Sequence, residues 1–320
     1  MSGWITPFLI HSAVQAITPI LLAALAGSLC ARAGVFNVAL EGKILIGAFA
    51  AVVASYYTQS ATGGVAAAMI AAMVFSLILA YGATVFRGDH VVICIGMNLL
   101  ASGLTAYLLR VLFGVSGVFS DPAIVSLGKI RIPAIRDIPI IGWGFFSQTV
   151  VTWIAWGLVV AISLILFRTP IGLRLRGVGE QPDAAETLGV DVTAYRIAAV
   201  IAAGGLCGLA GAQLSLGAVS VFAEDMSAGR GWIAVVAVML GRANPIYVAG
   251  ACALFGLADA MSVRLQGEGL PNQLTDISPY AVTLAALVIS HRKRRRAALP
   301  SSEVDAASPG GVAEPQPDTR

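Results

Sequence analysis

Long apolar runs separated by short polar segments recur along almost the entire sequence. A helix needs about 20 apolar residues to cross the ~30 Å hydrocarbon core of a bilayer, and most of these runs reach that length. The pattern therefore predicts an all-α, polytopic helical membrane protein with eight or nine transmembrane helices. The predicted spans cover residues 10–31, 38–58, 63–86, 91–113, 148–168, 195–217, 230–242, 244–264 and 276–291.

The seventh predicted span, residues 230–242, is too short to cross a bilayer comfortably. Two interpretations remain open for it. It is either a half-helix, or it merges with the eighth span around Asn244-Pro245. The choice between them decides whether the chain crosses the membrane eight or nine times.

Basic residues predict the orientation of the spans. The run His291–Arg296 follows the last apolar run, and cytoplasmic loops are enriched in Lys and Arg, so we expect the C-terminus in the cytoplasm. Nine crossings then put the N-terminus outside, whereas eight crossings reverse that end. Counting back from the C-terminus places further basic positions on the cytoplasmic side: Arg32, Arg87, residues 168–196 and Arg242.

Composition excludes a soluble globular protein. Hydrophobic residues make up 58% of the chain and charged residues 12%, against roughly a quarter charged in soluble domains. We predict a transmembrane domain over residues 1–296 and a disordered cytoplasmic tail over residues 297–320, which is rich in Pro, Ser, Ala and acids. The long loop 114–147 is predicted on the outer face, where it either receives a substrate-delivering partner or forms a structured cap.

The sequence lacks the motifs of nucleotide, metal and covalent chemistry. No G-x-x-x-x-G-K-[ST] motif occurs, and the three histidines lie in three separate places. The four cysteines stand in apolar runs without metal-ligand spacing, as buried small residues do. We therefore predict a protein that is not an enzyme, with no catalytic residue, no metal site, no cofactor of its own and no nucleic-acid partner.

The first polar segment, Arg32–Lys43, precedes an apolar run. Glu41 and Lys43 are costly at the start of a span unless they face protein, water or each other. Gly34 and Gly42 loosen the helix, which is tolerated where backbone lines a cavity. The segment is either a broken helix that enters a translocation path or an interfacial turn with solvated charges.

The second polar segment, residues 168–195, is amphipathic and lies between two apolar spans. Thr169-Pro170 favours a helix start, Gly177 and Gly179 favour a bend, and Ala184–Gly189 favours a short helix ended by glycine. Two short helices on the inner face of the membrane are suited to bind a soluble partner through shape and charge. The alternative is an ordinary arginine-rich inside loop.

Both polar segments resemble the permease subunits of ATP-binding-cassette importers, and among these the simple-sugar and nucleoside importer permeases. The first segment is similar to R-x-G-x-x-N-[IV]-G-L-E-G-x-x-L-x-G-A, with Ala39 in place of a glycine. The second is similar to T-x-x-G-x-x-[LIM]-R-A-x-G-x-[NS]-x-x-A-A-x-x-x-G, with Gly177 and Gln181 as departures. The resemblance extends over about residues 12–290 and includes two further motifs, Gly229–Pro245 with Leu254–Gly256, and Leu270–Gln273 with Pro279-Tyr280.

The resemblance implies a multi-pass permease in the inner or plasma membrane, in contact with membrane lipid. An extracytoplasmic lipoprotein or periplasmic binding protein delivers a small-molecule substrate, and a second permease subunit, giving a heterodimer, completes the pathway. A separate ATP-binding-cassette ATPase carries the ATP and Mg²⁺. The residues implied in coupling to that ATPase are Thr169, Gly172, Arg174, Arg176, Gly179, Glu180, Ala184, Ala185 and Gly189.

A nucleoside pathway needs a slot for a flat base and hydrogen bonds for a ribose. Asn98 and Ser102 are four residues apart and share a helix face, with Thr105 close to it. The alternative role of each polar group is an interhelical hydrogen bond. The candidate pathway residues are the polar side chains within spans: Asn37, Glu41, Asn98, Ser102, Thr105 and Gln213.

Three functional hypotheses result from the sequence. The leading one is the permease of an ATP-driven nucleoside importer. The second is the same machine with a simple sugar, such as ribose, or another small solute as cargo. The third is an ion-gradient-driven secondary transporter, which needs an ionisable relay near the membrane midplane.

Overall fold

A computed structural model of the chain describes residues 7–131 and 147–267. Several predicted features lie outside the described residues. They are the middle of the loop 114–147, the ninth span at 276–291, the motif from Leu270, the basic run His291–Arg296 and the tail 297–320.

The described residues form ten α-helices, and their bounds follow the predicted spans closely. Asp89 begins α4 as its N-cap, since its carboxylate accepts hydrogen bonds from the backbone N–H groups of Val91 and Val92. Gly114 ends the same helix in the left-handed conformation. The helices are α1 Pro7–Arg32, α2 Leu40–Thr58, α3 Ala61–Thr84, α4 His90–Phe113, α5 Val150–Arg168, α6 Pro170–Glu180, α7 Pro182–Thr187, α8 Val192–Ala212, α9 Arg230–Leu240 and α10 Pro245–Gly267.

Seven helices in the described part of the chain are long and apolar enough to cross a membrane, namely α1 to α5, α8 and α10. Helix α9 has only 11 residues, so the half-helix interpretation is confirmed. The merger of the seventh and eighth predicted spans is wrong, because a turn over residues 241–244 separates α9 from α10. The all-α polytopic fold is thereby confirmed.

Four short strands lie in the segments that connect helices. β1 (Val118–Phe119) pairs antiparallel with β4 (Phe222–Ala223), with Phe119 opposite Phe222. β2 (Lys129–Arg131) pairs antiparallel with β3 (Ser147–Thr149), with Lys129 opposite Thr149. The two ends of the loop 114–147 are therefore anchored in β structure.

Helices α1 and α8 form the centre of the bundle, and small residues allow α8 to approach its neighbours closely. A Cβ at Gly208 would overlap the carbonyl oxygen of Ala68 in α3, and one at Gly211 would overlap the backbone of Ile44 in α2. Close backbone approach through glycine is the usual way helices pack in membranes. In contrast, α4 exposes a row of large apolar side chains, among them Val92, Leu99 and Tyr107, as expected of a face that contacts lipid.

Helix α8 continues without interruption into a π-helix, Gln213–Val219. π-Helical turns within α-helices are rare and frequently mark functional positions. Within it, Gly217 leaves room for the Gln213 side chain, since a Cβ at Gly217 would lie 2.6 Å from Oε1 of Gln213.

Candidate functional site

The first polar segment breaks the helical structure inside the protein. Helix α1 ends at Arg32, the chain runs without regular structure over residues 35–38, and α2 begins at Leu40. Gly34 adopts a φ of 77°, a left-handed conformation that glycine enters without strain. Because Asn37 is buried and Lys43 is 0% exposed, the interpretation as a turn with solvated charges does not fit.

Two asparagines hold this break in place. Asn98 of α4 accepts a hydrogen bond from Gly42 N at 2.9 Å and donates one to the carbonyl oxygen of Val38 at 3.1 Å. The side-chain oxygen of Asn37 accepts from Ala39 N at 3.2 Å and from the Lys43 ammonium at 3.4 Å. The broken backbone thus finds partners inside the bundle, as a polar backbone away from water requires.

Glu41 lies at the N-terminal end of the half-helix α9. One carboxylate oxygen accepts from Gly229 N at 2.8 Å and the other accepts from Gly231 N at 2.6 Å. Gly231 has no room for a side chain, since a Cβ would lie within 2.6 Å of Glu41 Cα. A negative charge is favourable here because the N-terminus of a helix carries partial positive charge and free N–H groups.

Arg32 lies at the opposite end of α9. Its guanidinium donates from Nε to the carbonyl oxygen of Ala243 and from Nη2 to that of Arg242, both at 3.0 Å. These carbonyls belong to the turn that follows α9. A cation next to the last turn of a helix is favoured by the helix dipole.

A cavity of about 210 Å³ lies beside the half-helix, between α1 and the start of α2. Asn37 and Arg242 are its polar lining residues, and Phe36, Leu40 and Val238 are among the apolar ones. This volume is below the 300–1,000 Å³ typical of sites for drug-sized ligands.

The six candidate pathway residues fall into separate places. Asn37, Glu41 and Asn98 come together around the start of α2. Thr105 donates to carbonyl oxygens of its own helix, and Ser102 is half-buried. The role of these residues in lining a pathway stays a prediction.

Gln213 lies in a second polar network, which the sequence pattern did not reveal. Its side-chain oxygen accepts from the Thr149 hydroxyl at 2.7 Å. Hydroxyl contacts continue from Thr149 to Thr152 at 3.1 Å and from Thr152 to Thr18 at 3.3 Å. In the sequence, this network is indicated only by three threonines in apolar runs. Threonine also bonds the backbone of its own helix, so its presence alone does not predict a network.

The second polar segment forms the two predicted short helices, α6 and α7. The predicted bend at Gly177 and Gly179 is wrong, because α6 continues through both glycines to Glu180 and the chain turns at Gln181. Thr169 begins α6 as its N-cap, since its hydroxyl accepts from Gly172 N at 3.2 Å and donates to Ile165 O at 2.7 Å. Gly189, with a φ of 77°, follows α7 in the left-handed conformation typical beyond a helix C-terminus. Val178, Ala185 and Val192 form a small buried cluster that fixes the two helices to the start of α8.

An open groove of about 600 Å³ runs along α6 and α7. Its wall contains Leu173 and Leu188, which are 64% and 83% exposed. Charged side chains stand beside these apolar ones, so the groove offers both kinds of contact. The predicted coupling residues that line it are Arg174, Glu180, Ala184 and Ala185.

Of the remaining predicted coupling residues, Gly172, Gly179 and Arg176 contact neighbouring elements of the bundle. Gly189 is exposed, and nothing lies within 4 Å of a Cβ there. Gly172 packs against the end of α5, and Gly179 packs against the backbone of Arg32 and Gly34. Arg176 lies with its guanidinium 5.0 Å from the ring centroid of Phe167, and Arg32 lies 5.6 Å from the same ring.

Comparison with protein families matches residues 9–287 to the family described as the branched-chain amino acid transport system / permease component. The guanosine ABC transporter permease NupQ of Bacillus subtilis is 36% identical over 84% of this chain and 87% of its own length. The nucleoside ABC transporter permease NupC of Lactococcus lactis is 35% identical over 85% and 88%. A permease assigned to a glucose ABC transporter, TsgC13 of Haloferax volcanii, is 31% identical over 92% and 95%.

Among solved structures, an inward-facing conformation of an ABC transporter assigned to the metal-chelate type is similar in fold, with a TM-score of 0.52 and 15% identity. The similarity covers 88% of this chain and 85% of that one. At this identity the likeness concerns the fold alone.

Proposed function

Because the chain belongs to the family of permease components of branched-chain amino acid transport systems, we propose that it is the membrane-spanning permease subunit of an ATP-driven nucleoside importer. The observation that carries the choice of cargo is the 36% identity, over 84% of the chain, to a permease named for guanosine. In this proposal the permease is not an enzyme, and ATP is hydrolysed on a separate subunit.

The groove along α6 and α7 is the proposed docking surface for the ATPase. An aqueous face that exposes Leu173 and Leu188 is unfavourable unless a partner covers it. Arg174 and Glu180 line the same groove and supply charges that orient a partner. Their desolvation cost is small, because charges at the rim of an interface stay in contact with water. ATP and Mg²⁺ are bound on that partner.

Two further partners belong to the proposal. A second permease subunit, a related but different chain, completes the pathway, and an extracytoplasmic lipoprotein or periplasmic protein delivers the nucleoside to the outer face. The long apolar faces of helices such as α4 face lipid or the second permease. The arginines at 32, 87, 168–176 and 242 favour an orientation with α6, α7 and the C-terminus in the cytoplasm of the cell.

A simple sugar is the second candidate cargo, because a relative named for glucose is 31% identical over 92% of the chain. A nucleoside contains a ribose, so a pathway with hydroxyl and amide partners is compatible with either class. Uptake measurements separate them.

The test is uptake of labelled guanosine, adenosine, uridine, ribose and glucose in the native host, with and without the gene. We expect loss of nucleoside uptake alone on deletion and recovery when the gene is restored. Loss of sugar uptake alone would show that the cargo is a sugar and not a nucleoside. Unchanged uptake of all five compounds would overturn the nucleoside proposal. Uptake that stops when the ion gradient collapses while ATP is maintained would instead indicate a secondary transporter.

A further inference from the structure

We propose that Arg32 and Glu41 clamp the half-helix α9 at its two ends, and that Arg32 and Gly34 connect this clamped helix to α6. On this inference, which rests on the proposed function, the three residues are positioning residues that carry ATPase-driven movement into the membrane. The proposal rests on contacts that the first polar segment makes with α9 and with α6.

Both ends of α9 have unusual backbone conformations. The chain enters α9 through Ala228 and Gly229, with φ values of 46° and 80°, and leaves it through Arg242 and Ala243, each with a φ of 51°. Left-handed conformations are unfavourable for residues with a side chain and persist only where the surroundings hold them. A charged group of the first polar segment bonds to the backbone at each of these places.

The two charges match the helix dipole. Glu41 accepts from Gly229 N and Gly231 N at the positive end, and Arg32 donates to the carbonyls of Arg242 and Ala243 beyond the negative end. An 11-residue helix is about 16 Å long at 1.5 Å per residue. The stretch from residue 32 to residue 41 thus spans the half-helix from end to end and bonds it at both.

The same stretch contacts the proposed docking helix α6 through a direct backbone approach at Gly179. A Cβ at Gly179 would overlap the carbonyl oxygen of Arg32 and lie 3.0 Å from Gly34 N. A Cβ at Gly34 would lie 3.2 Å from Gly179 Cα. The Arg196 side chain donates to the intervening carbonyl of Ala33 at 3.3 Å.

This contact favours rigid transmission. Two backbones in direct contact have no flexible side chain between them to absorb a displacement, and closely packed interiors transmit strain. Movement of α6 on ATPase closure therefore shifts residues 32–34, and the guanidinium of Arg32 shifts the end of α9. Such rigid-body displacement of a helix is a common form of switching.

The first test compares charge-removing and conservative variants in the purified, lipid-reconstituted transporter. Glu41→Gln leaves only one acceptor oxygen for two N–H groups. Arg32→Gln removes the charge and replaces the two donor nitrogens of the guanidinium by one amide nitrogen on a shorter side chain. We expect both variants to assemble and hydrolyse ATP while the number of nucleosides moved per ATP falls about tenfold, within the usual range of coupling between sites. Glu41→Asp and Arg32→Lys restore part of the ratio.

The matched controls keep their ratio unchanged. Glu224→Gln removes a carboxylate that also accepts from a backbone N–H, that of Gly117. Arg87→Gln removes an exposed arginine from the connection between α3 and α4. The clamp proposal would be overturned if the controls and the test variants lost the same share of nucleosides moved per ATP. It would also be overturned if this ratio stayed unchanged in Arg32→Gln and Glu41→Gln.

A distance measurement tests the clamp without knowledge of the cargo. All four native cysteines are buried, so single added cysteines at exposed positions can be spin-labelled selectively. The labelled positions are Ile171 on α6, Met239 on α9 and Leu99 on α4, which are all exposed. Nucleotide trapping of the ATPase then moves the transporter into its closed state.

In the wild-type background we expect the 171–239 distance to stay constant while the 171–99 and 239–99 distances change together. In Arg32→Gln, the 171–99 distance still changes and the 239–99 distance no longer follows it. A wild-type 171–239 distance that changes, no change in any distance, or α9 movement that persists in Arg32→Gln would overturn the proposal. These distances do not depend on nucleoside uptake. A wrong cargo proposal would therefore leave them unchanged, and the uptake experiment would detect it instead.

Discussion

The two polar segments place similar residues in opposite environments. In the first, Asn37 is buried, Arg32 and Glu41 are half-buried, and all three side chains bond to backbone groups of the protein. In the second, Arg174 and Glu180 line an open groove beside exposed leucines. Charge in a membrane protein thus has two uses. Where it is enclosed by neighbouring elements it supports irregular backbone, whereas at an exposed groove it remains available to a partner.

The largest effect is expected at the contact between Glu41 and α9. Gly231→Val forces a branched side chain against the Glu41 backbone, and overpacking at a buried site costs about 3 kcal/mol. We expect little folded protein in the membrane, measured by detergent extraction and size-exclusion chromatography. Gly250→Val is the matched control, because nothing lies within 4 Å of a Cβ there. Equal yields of the two variants would contradict this packing.

The Asn98 contacts are the next test of the buried segment. Asn98→Leu leaves the N–H of Gly42 and the carbonyl of Val38 without their partner, at about 2 kcal/mol in total. We expect a lower thermal unfolding midpoint for the purified permease. Ser102→Ala, one turn further along α4, should leave the midpoint unchanged. A midpoint that falls as much in Ser102→Ala would contradict the assignment of this role to Asn98.

The groove of the second segment is expected to affect binding without affecting stability. Leu173→Glu removes an exposed apolar contact, and the burial of a leucine is worth about 2 kcal/mol, near 30-fold in affinity. We expect weaker association with the ATPase subunit by pull-down and calorimetry, with the unfolding midpoint unchanged. Thr193→Glu, an exposed position in the first turn of α8, is the control. Undiminished ATPase binding by Leu173→Glu would place the docking surface elsewhere.

Removing the buried charge of Lys43 is expected to stabilise the protein, a smaller effect than those above and opposite in sign. Its ammonium is fully buried and its one described hydrogen bond is the 3.4 Å contact with Asn37. Lys43→Met keeps the length of the side chain and removes a desolvated charge, so we expect a gain of about 1 kcal/mol in stability. Arg174→Met, at the groove, should leave the unfolding midpoint unchanged. A clear loss of stability in Lys43→Met would show that the charge has a stronger partner than Asn37.

The apolar pattern by itself determined the fold class and the bounds of the spans. The spans predicted from residue 38 to 58 and from 91 to 113 agree with α2 and α4 to within two residues. This works because lipid imposes one requirement on every span, a helix of sufficient apolar length. The two short helices of the second segment were predictable for a similar reason, since Thr169, Pro170 and Gly189 act on the local backbone.

Only the tertiary structure decided the partners of the polar side chains. The sequence shows Arg32 and Glu41 in one segment, yet their bonds reach α9 and its turn, roughly 200 residues away. It likewise shows Gln213 as one more polar group, while the structure bonds it to Thr149 in β3. Local preference and apolar length are properties of neighbouring residues, whereas a hydrogen bond between distant elements depends on how the helices pack, and packing is set by all of them together.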